Sequence, residues 1–170
     1  LEDTFVARVP KAGLVVDVGC GPGLDCARFV GLGLRVIGFD LSEGMLSLAL
    51  RVDAARYVQG DLRTLPLRSG QFDGIWCVAS LLHVPEIDTS SILLGFRRIL
   101  REGGSLALIT AVGDGERFEE VPYADGERRW FVYRNPERLC EQLSGAGFRI
   151  DHARDVSGSR RWFTALAHAR

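Results

Sequence analysis

Val15-Val16-Asp17-Val18-Gly19-Cys20-Gly21-Pro22-Gly23 runs an apolar strand into glycines at every-other-residue spacing and then into a helix. Glycine lets the backbone turn sharply and approach a ligand where a Cβ would collide, and the helix that follows offers unpaired N–H groups at its start. The pattern is that of a nucleotide-cofactor cradle. Val36-Ile37-Gly38-Phe39-Asp40 follows about twenty residues after the first glycine, as a second strand ending in a carboxylate able to take both hydroxyls of a ribose. A dinucleotide fingerprint of the form G-x-G-x-x-G wants glycine at position 24, where this chain has Leu24.

The bulk numbers bound the rest. A chain of 170 residues is one domain by length and large enough to bury a core. With 46% hydrophobic and 25% charged residues it has the composition of a soluble globular protein, and a formal net charge of -1 gives no global attraction to nucleic acid or acidic membranes. Small or locally recognised partners are therefore expected. There is no run of about eighteen apolar residues, and Leu1-Glu2-Asp3-Thr4 lacks the regions of a signal peptide, so the expected location is the cytoplasm. Cys20, Cys26, Cys77 and Cys140 show neither metal-ligand nor disulfide-framework spacing and read as reduced thiols.

Hydrophobic periodicity predicts a short helix over Thr4 to Val9, strands at Leu14 to Val18, Arg35 to Phe39, Arg56 to Gln59 and Phe72 to Ala79, and a helix from Leu24 to Leu32 with Cys26, Phe29 and Val30 on one face. Ser42 is placed to cap a helix whose apolar stripe is Met45, Leu46, Ala49 and Leu50. The nearly continuous apolar run from Phe72 suits a central parallel strand covered on both faces. Ile92, Leu93, Phe96, Ile99 and Leu100 predict a helix that starts near Asp88 or Thr89 and stops at Gly103-Gly104, before a strand over Ser105 to Val112. Asn135-Pro136-Glu137 opens another helix, and Phe148 to Ala153 with Trp162 to His168 make an antiparallel pair. The alternation predicts a doubly wound α/β sheet.

Four motifs in order, over roughly residues 12 to 112, resemble the class I S-adenosylmethionine (SAM) dependent methyltransferases: the glycine turn with Asp40, Gly60-Asp61-Leu62, Phe72-Asp73-Gly74-Ile75-Trp76-Cys77, and Leu100-Arg101-Glu102-Gly103-Gly104-Ser105-Leu106. The resemblance implies a seven-stranded, mostly parallel, Rossmann-like sheet with a C-terminal antiparallel strand, SAM as cofactor and S-adenosylhomocysteine (SAH) as product. It also implies that Gly19, Cys20, Gly21 and Gly23 form the turn against the methionine and ribose portion, with Asp17 facing the ammonium group. Asp25 either caps the following helix or touches the amino-acid end of SAM. Asp40, followed by Leu41, is the ribose position. Met45 either stacks on adenine or belongs to the buried stripe of its helix, Asp61 and Leu62 are the adenine pair, and Ala79 closes the cofactor set at the end of the fourth strand. Only about a dozen residues precede the first strand, where members of the family carry one or more helices, which leaves a compact form and a truncated form both open.

Beyond the fourth strand the chain reads Ala79-Ser80-Leu81-Leu82-His83-Val84-Pro85. It lacks the acidic or Asn residue followed by Pro-Pro and an aromatic that marks amine methylation of DNA bases, and the Pro-Cys of cytosine C5 methylation. His83 is the candidate general base, since imidazole titrates near neutral pH, or else a structural residue of the loop. Gly113 to Arg134 interleaves aromatic and charged residues and is a candidate substrate wall or lid, with Trp130 and Tyr123 foremost, while Phe131 and Tyr133 alternate as core residues do. His152 and His168 fall in terminal strands, with no metal cluster expected. The reading is methyl transfer from SAM to an O or N atom of a small metabolite. A non-catalytic SAM- or SAH-binding protein or subunit is the alternative, and RNA or protein methylation a further one; oligomeric state is left open.

Overall fold

A computed structural model describes residues 1–52, 55–120, 126–158 and 160–170. Along the chain lie α1 (Glu2–Arg8), β1 (Leu14–Val18), α2 (Leu24–Gly31), β2 (Arg35–Asp40), α3 (Glu43–Val52), β3 (Arg56–Gln59), β4 (Phe72–Val78), α4 (Thr89–Ile99) and β5 (Leu100–Ala111). After them come β6 (Glu116–Glu120), β7 (Arg128–Val132), α5 (Pro136–Gly145), β8 (Phe148–Val156) and β9 (Trp162–Ala169). Seven strands form one sheet in the order β3-β2-β1-β4-β5-β9-β8, and β6 pairs with β7 in a separate hairpin. The pairs among β1 to β5 are parallel, whereas β9 runs antiparallel to both neighbours. This is the doubly wound sheet expected of the class. No helix among the described residues is long and apolar enough to cross a membrane.

The strand period of two sorts the core into layers. Val16, Val18, Ile75, Cys77, Leu106 and Leu108 face α4 and α5, where Ile92, Phe96, Leu139 and Leu143 are buried. Val15, Trp76 and Ala107 face the other way, toward Phe5 of α1 and Cys26 and Phe29 of α2. The rings of Phe5, Phe29 and Trp76 meet with centroids 5.1 to 5.8 Å apart. Phe96 is fully buried, so its truncation to alanine costs about 3–5 kcal/mol. β4 lies between β1 and β5 and is buried along nearly its whole length, as its apolar run predicts.

Several local expectations change. α4 ends at Ile99, before the Gly103-Gly104 pair, because the N–H groups of Gly70 and Gln71 take the carbonyls of Arg98 and Ile99 at 3.0 and 2.9 Å. The chain is then already extended at Leu100, and β5 passes through a register shift opposite Phe72 to Gly74. Val30 and Leu50 are exposed, so the buried faces of their helices are narrower than the sequence stripes. The β6–β7 hairpin was not expected: its alternation is carried by charged and aromatic residues, which gives no simple apolar period.

Candidate active site

Strand order reverses between β1 and β4, which opens a crevice beyond their C-terminal ends. The glycine turn sits there. Gly19, with φ of 77°, is fastened by its N–H to the Phe39 carbonyl at 2.7 Å, and a Cβ on it would lie 2.2 Å from that of Ser80. Ser80 in turn donates to the Val18 carbonyl at 2.7 Å, tying the end of β4 to the end of β1. Gly21 also has a positive φ, yet a Cβ there would meet nothing within 4 Å. One glycine is thus required by the protein's own packing, and the next leaves open space in front of the backbone. Cys20 turns its side chain into the core, so only its main chain faces the crevice.

Asp40, at the end of β2, accepts from Gly21 N–H and Ser42 N–H at 2.8 Å each. One carboxylate therefore holds both the glycine turn and the start of α3. Ser42 caps α3 through the Met45 N–H at 3.3 Å, and Met45 is half-buried beside the buried Leu46 and Ala49. Leu41 projects outward, 65% exposed, and Leu62 is half-buried against the core. Asp61 accepts from the backbone N–H and the guanidinium of Arg63, each at 2.9 Å, which lowers its pKa. Ala79, exposed at the mouth of β4, has φ of 52°, an uncommon conformation for a residue with a Cβ.

Behind the turn, Asp17 is buried and accepts from the Cys26 thiol at 3.3 Å. Burial raises its pKa to about 7, with Asp25 and Asp40 adding to the rise against the Cys26 hydrogen bond. Asp25 does not cap α2; it accepts the Trp76 indole N–H at 2.9 Å and so joins the helix to β4. The Cys77 thiol is fully buried, which raises its pKa to about 11, outside the range of a reactive nucleophile.

Across the crevice, short 3₁₀ turns at Leu81–His83 and Glu86–Asp88 follow β4. His83 Nδ1 lies 2.8 Å from the Trp130 carbonyl, and its ring packs on Phe131 at 5.0 Å between centroids. Although the residue keeps an exposed edge, loss of water around the ring lowers its pKa, and Arg129 and Arg160 lower it further against the raising effect of the Trp130 bond. The imidazole is consequently neutral at neutral pH. Arg134 is buried, donates to the Val84 carbonyl at 2.9 Å and to Thr89 Oγ1 at 3.2 Å, and faces Glu86 at 3.3 Å. Glu116 of the hairpin completes the clamp, accepting from Glu86 N–H at 2.8 Å and from the Trp130 indole at 3.2 Å. Phe131 is buried and Tyr133 half-buried, whereas Tyr123 lies outside the described residues. His152 is exposed and His168 pairs with Asp151 at 2.9 Å, both in the strand pair β8–β9.

Sequence reasoning singled out no role for Ser80, Arg134, Glu86 or Arg160, and placed Glu116 only within the candidate wall. Ser80 stood in the stretch after β4, and a glycine facing it was the available signal. Glu86, Arg134 and Arg160 gain meaning from partners about 30 or more positions away.

An open glycine cradle beside a strand-terminal carboxylate, at the switch point of a sheet ordered β3-β2-β1-β4-β5-β9-β8, defines a nucleoside-cofactor-binding fold. The chain belongs to the class I SAM-dependent methyltransferase family, with residues 16–108 matching the methyltransferase domain. It is 40% identical over 155 residues to a malonyl-[acyl-carrier protein] O-methyltransferase of Enterobacter lignolyticus, covering 84% of this chain and 58% of that protein. It is 35% identical over 173 residues to a ubiquinone biosynthesis O-methyltransferase of Xanthomonas oryzae pv. oryzae, covering 92% of this chain and 70% of the relative. The crystal structure of a SAM-dependent methyltransferase from Methanosarcina mazei superposes with a TM-score of 0.89 at 18% identity, over 99% of this chain and 98% of that one, which shows the shared fold.

Proposed function

We propose that this chain is a single methyltransferase domain of the cytoplasm that methylates an oxygen or nitrogen atom of a small molecule. The observation that carries the reading is the open Gly21 backbone held by Asp40, with His83 just beyond β4 and within electrostatic reach of Asp40. The two relatives are both O-methyltransferases, which favours oxygen as the accepting atom.

The residues fit the cofactor. The Gly21 cradle is open, and Asp40 has lone pairs beyond the two it gives to backbone N–H groups, enough for a pair of ribose hydroxyls. Gly19, Gly21 and Gly23 would hold the methionine and ribose portion, Asp17 the ammonium, and Asp61, Leu62 and Met45 the adenine. SAM supplies an electrophilic methyl on a sulfonium. The protein's share is alignment, exclusion of water and removal of the acceptor's proton. His83 takes that proton on Nε2 while its Nδ1 is held by the Trp130 carbonyl, which fixes the Nδ1-protonated tautomer.

Calorimetry with SAH tests the cofactor half. Asp40→Ala is expected to weaken binding by about tenfold or more while the protein stays folded, since charge-assisted bonds are worth about 1.5–3 kcal/mol each. Unchanged affinity removes Asp40 from the site. Incubation with SAM and a metabolite panel, read as SAH release, tests the catalytic half; binding without turnover across the panel favours a SAH-binding protein instead. Once an acceptor is found, His83→Ala is expected to lower turnover by about a hundredfold with SAH affinity retained.

A further inference from the structure

Among the described residues, the face of the hairpin that meets His83 gathers Arg117, Arg129 and Arg160 around Glu119. Glu119 accepts from Arg117 Nε at 2.7 Å and the Tyr133 hydroxyl at 2.6 Å through one oxygen, and from Arg160 Nη2 at 2.7 Å through the other. A single carboxylate therefore serves two guanidiniums. Arg160, reaching in from the connection before β9, stacks 4.2 Å above Phe131, the ring against which His83 packs at 5.0 Å. Its Nη1 is shielded from water and has no hydrogen-bond partner. Arg129 stands two residues before Phe131 on the same side of β7, 3.8 Å from the exposed Glu127, and acts on His83 from there.

We propose that the acceptor carries a carboxylate, bound by Arg160 with Arg129 alongside, next to the atom that His83 deprotonates. The proposal rests on the methyltransferase reading and deepens it by naming the substrate class. A planar guanidinium already aligned on an aromatic ring matches a carboxylate by two parallel N–H bonds, and a buried donor without an acceptor is stabilised by gaining one.

The chain has 3 histidines, which makes ¹³C-labelled histidine a direct probe. The protein is first shown by calorimetry to bind SAH; failure at this step overturns the methyltransferase reading itself. In the SAH-saturated protein the His83 resonance, assigned with His83→Gln, is followed during titration with benzoate and with its neutral isostere benzamide. Benzoate is expected to shift His83 saturably and benzamide about tenfold more weakly, with His152 and His168 unmoved. Arg160→Gln is expected to abolish the benzoate response and Arg160→Lys to keep part of it. If SAH binds but benzoate and benzamide act alike, or neither shifts His83, or folded Arg160→Gln responds as wild type, the carboxylate proposal is overturned and the methyltransferase reading stands. The benzoate–benzamide comparison in the wild-type protein decides even where Arg160→Gln does not fold.

Discussion

The two walls of the crevice are built on different principles. On the cofactor wall, the glycine turn, Asp40 and Ser42 hold one another through backbone N–H groups within about two dozen residues of chain. On the acceptor wall the His83 turn is held by side-chain hydrogen bonds that join distant positions: His83 to the Trp130 carbonyl spans 47 positions, Glu86 to Glu116 spans 30, and Arg134 to Val84 spans 50. A backbone cradle can take the same cofactor portion whatever the acceptor is. A side-chain clamp can be rebuilt residue by residue, which is what a change of acceptor requires. Wall and clamp should therefore fail separately, and substitutions can test that.

The largest effect is expected for Arg134→Met. Removing a buried guanidinium leaves the Val84 carbonyl and Thr89 without their donor and Glu86 without its buried ionic partner, at a cost of about 3–5 kcal/mol. The loss should appear in urea unfolding, while SAH affinity measured where the protein is folded stays within about threefold of wild type, as expected for sites without shared partners. A matching loss of SAH binding would mean that the two walls are one cooperative unit.

Next in size is Asp17, the buried carboxyl behind the cradle. Its pKa is raised from 3.8 to about 7 in the folded protein, so the folded state holds the proton more tightly than the unfolded chain. Its contribution to stability is full below about pH 4, declines as pH rises toward 7, and is lost above that, a change of at most about 4 kcal/mol at about 1.4 kcal/mol per unit. Asp17→Asn should flatten this part of the pH–stability curve. If the ammonium of SAM or SAH faces Asp17, binding near pH 6 should release a proton, seen as binding heat that varies with the buffer's ionisation enthalpy. Buffer-independent heat would leave Asp17 a purely structural acid paired with Cys26.

What could be read before the structure follows the same division. β1 to β5 with their helices were legible because apolar runs, glycine turns and the Ser42 and Asn135 caps are local signals, and both caps form. The ends of elements were less so: α4 stops at Ile99 because of residues 70 and 71, which no local pattern announces. The Gly19–Gly23 turn and Asp40 stand together as expected, since glycine spacing records a backbone requirement. Arg134 could not be singled out, because a buried arginine looks in sequence like any other arginine in a polar segment. Asp25 shows the same limit from the other side: cap and cofactor contact were both reasonable, and the Trp76 indole took its carboxylate across 51 positions.

The smallest stability change, and the finest test of the cofactor wall, is expected from Asp61→Ala. In the structure this carboxylate is occupied by its near neighbour Arg63, both through the guanidinium and through the backbone N–H. The pair is solvent-exposed on the arginine side, so breaking it should leave the melting temperature without SAH nearly unchanged. An adenine amine must share the carboxylate with Arg63 or displace it, and the gain is discounted accordingly, so SAH affinity should fall by only about tenfold. Arg63→Ala separates the two cases. If Arg63 competes with adenine, this variant binds SAH at least as well as wild type; if the pair presents the carboxylate in the right orientation, binding weakens together with Asp61→Ala. Paired melts with and without SAH decide: an unchanged SAH-induced shift in both variants would place Asp61 outside the adenine site and leave Leu62 and Met45 to define it.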